Sequence, residues 1–162
     1  TGARRSNVQA MRWADVDLDR GLWHLPGEEM KGGEPVVVVL PEPALRVLRS
    51  RLEALEGPNG SPWIFSAPSA TGHVCEPKTA WERVRKAAGL NDLRIHDLRR
   101  SLGSWQATAG ASLQTIGASL GHRSYQSTLV YSRLQLDPVR QSVEAAAKAM
   151  ERAGRLPAPE EE

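Results

Sequence analysis

Apolar positions along the chain change their spacing twice. Val8, Met11 and Trp13 fall on one face of a short helix predicted over Asn7 to Trp13. Asp15 to Gly21 is rich in turn residues and leads into Leu22-Trp23-His24-Leu25, a short strand stopped by Pro26-Gly27. Lys31-Gly32-Gly33-Glu34-Pro35 forms a second turn, and Val36 to Leu40 is the strongest strand signal in the chain. Two strands joined by a Gly-rich connection predict a hairpin, or a meander with a neighbouring strand. From there the spacing becomes three and four. Leu45, Leu48, Leu52 and Leu55 mark a helix over Pro43 to Leu55. After the loop 57–62, Trp63-Ile64-Phe65 is a short buried segment, and Pro68 to Glu76 is another loop. Further helices are predicted over Lys78 to Ala88, closed by Gly89, and His96 to Ala109, closed by Gly110. Ser112 caps a helix from Leu113 to Leu120, closed by Gly121. Ser127 to Leu134 reads as one short helix, and Pro138 to Ala153 as a long Ala-rich one. The fold class is mainly α with a small antiparallel β-sheet. Residues 1–154 read as one domain, and 155–162 as a flexible acidic tail.

Composition narrows the class. The 162 residues are 40% hydrophobic and 25% charged, which fits a globular domain. A single cysteine, Cys75, excludes a disulfide framework and a Cys-rich metal module. No apolar run approaches the roughly 20 residues that span a bilayer, and no signal-peptide pattern opens the chain. An intracellular, cytoplasmic setting is expected. The opening Thr1-Gly2-Ala3-Arg4 has no initiator Met, which reads as a fragment lacking an N-terminal part. The net charge of +2 hides a pattern: residues 1–77 carry −2, 78–133 carry +6, and 134–162 carry −2. A basic block of that kind is an electrostatic footprint for nucleic acid.

Several side chains could carry chemistry, and each alone has an ordinary reading. In His96-Asp97-Leu98-Arg99-Arg100, helical spacing sets His96 and Arg99 on one face. An arginine fork beside an imidazole suits a phosphate, although an exposed charged helix end would look the same. His122 follows Gly121 on a tight turn, and Tyr131 comes nine residues later. Alone, these read as a loop histidine and a packing residue. Arg4 follows a Thr-Gly turn, and Lys31 sits at the hairpin tip, where a lysine otherwise serves solubility.

The joint order carries more. Thr-Gly-x-Arg at 1–4, Lys31-Gly32-Gly33, His96-x-x-Arg99, Leu120-Gly121-His122 and Tyr131 together resemble the catalytic domain of the tyrosine recombinases, the phage-integrase-type enzymes. Arg12-Trp13-Ala14-Asp15-Val16-Asp17-Leu18 is similar to the text after that family's first arginine, and the likeness runs to about residue 135. The resemblance implies the tyrosine recombinase fold and metal-free strand exchange with no cofactor, through a 3′-phosphotyrosyl bond. It makes Tyr131 the nucleophile and Arg4 and Arg99 the clamps on the non-bridging oxygens. His122 becomes a further donor to the phosphate, His96 the acceptor or positioner of the tyrosine proton, and Lys31 the acid for the leaving 5′-oxygen. The chemistry is coherent, since a phenol with an ordinary pKa of about 10 needs activation. Metal-free phosphoryl transfer also needs positive charge from side chains. Asn7 stands where the family commonly has an acidic residue. The implied partners are a double-stranded DNA recombination site and other protomers in a DNA-bound synaptic multimer, in a prokaryotic cytoplasm at the nucleoid. The helix after Tyr131, with Val139, Val143, Ala146, Ala147 and Met150 along it, resembles the tail that docks on a neighbouring protomer.

Other residues have plainer expectations. Arg83, Arg85 and Lys86 fit either DNA backbone contacts or a solvated face, and Arg100 and Arg123 are further candidate DNA contacts. His24 reads as a structural, part-buried histidine. His73 and Cys75 have no second metal pair. Tyr125 reads as packing, and is the rival nucleophile. Trp13, Trp63, Trp81 and Trp105 read as core. A type IB topoisomerase shares the Tyr/Arg/Lys/His logic. A non-enzymatic DNA-binding remnant and a plain helical interaction domain remain as other classes.

Overall fold

The computed structural model describes residues 1–29, 33–54 and 60–154. Lys31 and the acidic tail lie outside the described residues. The chain divides into two compact units, Thr1–Leu102 with Ser119–Gly121, and Gly103–Ala118 with His122–Glu162.

The first unit opens with α1 (Arg5–Gln9), shorter than the predicted helix, because Ala10 leaves helical geometry and Arg12 is already extended. A 3-10 turn over Trp13–Asp15 follows. Three antiparallel strands come next, β1 (Val16–Asp17), β2 (Leu22–Leu25) and β3 (Val36–Val39), in the order β1-β2-β3. The first strand lies inside the turn-rich stretch Asp15 to Gly21 and makes the sheet a meander, the second of the two arrangements expected. Its two residues are too few to show a period of two, and Asp17 serves strand and turn together. The Asp17 carboxylate accepts from the backbone N–H groups of Asp19 and Arg20 at 3.1 and 2.8 Å, closing the bend into β2.

Register follows burial. Trp23 pairs with Val38, and both face the core with Leu25. His24 pairs with Val37 on the opposite face, and both are exposed, so the part-buried expectation for His24 is corrected. Helix α2 (Glu42–Ala54) lays Leu45 and Leu48 on this face, and Ile64 completes a core of Met11, Trp23, Leu25, Val38, Leu40, Leu45, Leu48 and Ile64. The segment around Ile64 is held by an isolated bridge between Arg12 and Trp63 and by Arg51 Nε donating to Ile64 O at 2.8 Å. Helix α3 (Lys78–Ala88) has the predicted bounds. Gly89 ends it at φ +68°, a left-handed cap that releases its N–H to the last carbonyls.

Helix α4 (Ile95–Thr108) begins with half of a capping box. Asp97 accepts from the Arg94 backbone N–H at 3.0 Å and from the Arg94 side chain at 3.0 Å. Helix α5 (Leu113–Leu120) starts at Ser112, whose Oγ accepts from Thr115 N at 3.1 Å.

In the second unit, the single helix expected over 127–134 is two 3-10 turns, Tyr125–Ser127 and Leu129–Leu134. Thr128 joins them, closing the first turn with its N–H on Tyr125 O at 2.8 Å and opening the second by accepting Tyr131 N–H at 3.0 Å. Helix α6 (Leu136–Gly154) follows. Val139, Val143 and Met150 on it are exposed. Trp105 is 73% exposed, which corrects its assignment to the core, while Trp13, Trp63 and Trp81 are half-buried. No helix among the described residues is long and apolar enough to cross a membrane.

Candidate active site

In the first unit the candidate residues gather around the start of α4. Arg99 is 8% exposed, and its two terminal nitrogens donate to the backbone carbonyls of Gly2 and Leu120. Buried guanidinium groups need such partners, and carbonyl acceptors orient the fork without cancelling its charge. The bonds join the Thr-Gly motif, the His-x-x-Arg motif and the end of α5.

Gly2 has a physical reason to be glycine. It has φ +72°, and a Cβ there would stand 2.7 Å from Leu102 Cδ2 and 2.8 Å from Leu120 Cδ2. Arg4 caps α1 in extended backbone geometry and is half-buried. Its side chain makes no hydrogen bond or ion pair among the described residues. Asn7 is buried, and its Oδ1 accepts from Ser6 Oγ at 3.3 Å.

His96 is exposed, one turn before buried Arg99. Both line a cavity of about 350 Å³ together with Thr1, Gly2 and Ala3. His96 also lines a second cavity of about 540 Å³, with Arg5, Lys78, Arg85 and Arg94 among its walls. Of those four cations, only Arg85 was expected near DNA. Arg5 is held by Glu76 at 3.2 Å, and Arg85 donates to Asn91 O while its Nε is buried without a partner among the described residues. Arg83 and Lys86 are exposed on α3. Arg100 is exposed and paired with Asp97 at 3.4 Å. The Arg94 side chain, its backbone N–H and its charge lower the Asp97 carboxyl to about 2, and Asp97 in turn raises Arg94.

In the second unit, His122 Nδ1 lies 3.0 Å from Thr128 Oγ1, and His122 N–H bonds Gly117 O at 2.9 Å. Arg123 is exposed. Tyr131 is 5% exposed, whereas Tyr125 is 63% exposed, so Tyr125 is not the packing residue it was expected to be. The Tyr131 ring lies over Gly103 of α4. A Cβ on Gly103 would stand 2.6 Å from Tyr131 Cζ and 2.9 Å from its Oη. Gly103 and Thr128 were missed in the sequence. A glycine inside a predicted helix was the available signal for the first. A threonine six residues after a histidine gives none.

The sequence pattern of the phage integrase family matches residues 1–137, a span that holds every one of these residues. The chain belongs to that family. The integrase of Salmonella phage P22 is 28% identical over 146 residues, covering 83% of this chain and 36% of the relative. The chain thus spans little more than a third of that integrase. Two solved structures share the fold. The XerH site-specific recombinase bound to a palindromic difH substrate, in a post-cleavage complex, superposes with a TM-score of 0.65 at 21% identity, covering 93% of this chain and 43% of XerH. The catalytic domain of bacteriophage HP1 integrase gives 0.60 at 17% identity, covering 89% and 74%. The phage integrase fold accounts for the mainly helical chain with one small three-stranded sheet.

Proposed function

We propose that this phage integrase family member is the catalytic part of a site-specific DNA recombinase. The Tyr131 hydroxyl oxygen attacks the scissile phosphorus. An O–P bond to tyrosine forms, the P–O5′ bond breaks, and a 5′-OH leaves. A 5′-OH from a partner strand reverses the step on a new junction. The phosphotyrosine keeps the bond energy, so the reading asks for no nucleotide and no metal.

Arg4 and Arg99 neutralise the charge of the pentacoordinate transition state. His122 adds a hydrogen bond to the same phosphate. His96 takes or positions the tyrosine proton, and Lys31 protonates the leaving O5′. The single observation that carries this reading is the family match over 1–137 with Arg4, His96-x-x-Arg99, His122 and Tyr131 all inside it. The fixed guanidinium of Arg99, opening with His96 onto one cavity, supports it.

The partner is duplex DNA. The +6 block over 78–133 supports this, and so do the cations around the second cavity. Arg83, Arg85, Lys86, Arg100 and Arg123 are proposed backbone contacts. The exposed apolar residues of α6 suit a neighbouring protomer in a DNA-bound multimer. The reaction belongs in a prokaryotic cytoplasm, at the nucleoid.

The test is covalent capture on a nicked suicide DNA substrate. Tyr131→Phe is expected to abolish the covalent adduct and to leave DNA binding intact. A covalent adduct formed by Tyr131→Phe would overturn the assignment and move attention to Tyr125. Relaxation of supercoiled plasmid without sequence preference would favour the topoisomerase reading.

A further inference from the structure

A buried hydroxyl beside a candidate active-site imidazole constrains where the ring proton sits. Thr128 is 1% exposed, and its Oγ1 lies 3.0 Å from His122 Nδ1. Among the described residues, Nδ1 is the one hydrogen-bond partner of that hydroxyl. A threonine hydroxyl carries one proton to give and can also accept. If Nδ1–H donated to Oγ1, the threonine proton would be left buried and unpaired. Buried polar groups in folded proteins avoid that arrangement.

We propose that Thr128 is a positioning residue: its hydroxyl donates to His122 Nδ1, so that neutral His122 carries its ring proton on Nε2. The backbone fixes the donor as tightly as the side chain does. Thr128 N–H bonds Tyr125 O at 2.8 Å, and Thr128 O accepts Tyr131 N–H at 3.0 Å. Gly117 leaves room behind it, since a Cβ there would stand 3.1 Å from Thr128 Oγ1. One residue therefore sets the state of the His122 ring and also holds the backbone of Tyr131. With its proton on Nε2, the ring can donate to a phosphate oxygen, which at neutral pH only accepts. With the proton on Nδ1, Nε2 would set a lone pair against that oxygen. What Nε2 meets rests on the recombinase reading, whereas the state of the ring does not.

Two variants separate hydroxyl from shape. Thr128→Val keeps the shape and loses the hydroxyl, and Thr128→Ser keeps the hydroxyl and loses the methyl. The first measurement is histidine nitrogen NMR of the DNA-free protein at mildly alkaline pH. It is expected to find wild-type His122 protonated on Nε2, with Nδ1 shifted as a hydrogen-bond acceptor. That shift should be lost in Thr128→Val and kept in Thr128→Ser. A wild-type His122 protonated on Nδ1 overturns the proposal.

The second measurement is cleavage of the nicked substrate. Thr128→Val is expected to lower the cleavage rate at saturating DNA by at least about tenfold, with DNA affinity unchanged, and Thr128→Ser to restore it. A wild-type rate in Thr128→Val with a defect in Thr128→Ser would make Thr128 a packing residue and overturn the proposal. If Thr128→Val does not fold, the wild-type ring state and Thr128→Ser still decide. If the wild type forms no covalent adduct, the recombinase reading fails while the NMR result stands by itself.

Discussion

The two units hold their candidate residues by different means. In Thr1–Leu102, eight buried apolar side chains among the described residues form a core that includes Trp23 and Ile64, and Arg99 is tied to the Gly2 and Leu120 carbonyls. In Gly103–Ala118 with His122–Glu162, the buried positions among the described residues are few, Gly103, Ala107, Ile116, Thr128 and Tyr131, while Trp105, Leu136, Val139, Val143 and Met150 are exposed. A buried guanidinium gains from rigidity, because displacing it breaks its bonds to the Gly2 and Leu120 carbonyls together. Tyr131, the proposed nucleophile, packs over Gly103 and bonds its N–H to Thr128 O, with few buried apolar neighbours described in its unit. Low local packing is where proteins place parts that move.

The contrast can be broken at several points. The largest effect is expected from Arg99→Lys. Lysine has one ammonium and cannot reach both the Gly2 and Leu120 carbonyls as a fork does. Covalent capture of DNA should fall by about 10²- to 10³-fold. Thermal unfolding should also show a loss of about 1–3 kcal/mol, from acceptors left buried.

Next comes Gly103→Ala. The added methyl would overlap the Tyr131 ring, whose Cζ lies 2.6 Å from the new Cβ position. In the wild type, tetranitromethane should modify Tyr125 first and spare Tyr131. In Gly103→Ala, Tyr131 should react alongside it, and cleavage should drop by up to about 10²-fold. Continued protection of Tyr131 in that variant would mean the ring is held by more than the notch.

A smaller effect is expected from Arg94→Ala. Asp97 titrates near 2 because the Arg94 side chain and backbone hold its charged form. A lowered folded-state value gives stability that is present above the unfolded value, about 3.9, and is lost as pH falls toward 2. The carboxyl carbon of Asp97, followed by NMR, should move its midpoint upward toward the ordinary value in Arg94→Ala. The start of α4 should then loosen between pH 4 and 2 sooner than in the wild type.

The smallest effect is expected from Val143→Ser on α6. Its side chain is exposed in the chain alone, so unfolding should shift by no more than about 0.5 kcal/mol. A large loss of stability would show that this face is already packed within one chain.

Local patterns in the sequence predicted much of this. The bounds of α3 and its cap at Gly89 were legible because a left-handed glycine and a run of helix formers are local signals. Leucine spacing gave α2, and Ser112 gave the start of α5. The motifs placed His96 and Arg99 on one helix and His122 beyond another. Three things left no local trace. Strand β1 is two residues long and shares Asp17 with a turn. Trp105 looked like core by residue type, and its exposure is a property of tertiary packing. The partners of Arg99 and the Thr128–His122 contact are side-chain pairings, which periodicity does not encode. Gly103 was visible as an odd glycine in a helix, but its partner Tyr131 was not.

The Arg99 contacts bear on the order in which the candidate site is assembled during folding. Its carbonyl partners lie 97 and 21 residues away along the chain. Contacts of such long sequence separation form late, after shorter-range structure has paid the loop-closure entropy. A nascent or half-folded chain therefore has Tyr131 before it has a fixed Arg99, and the proposed DNA cleavage would wait for these contacts to close.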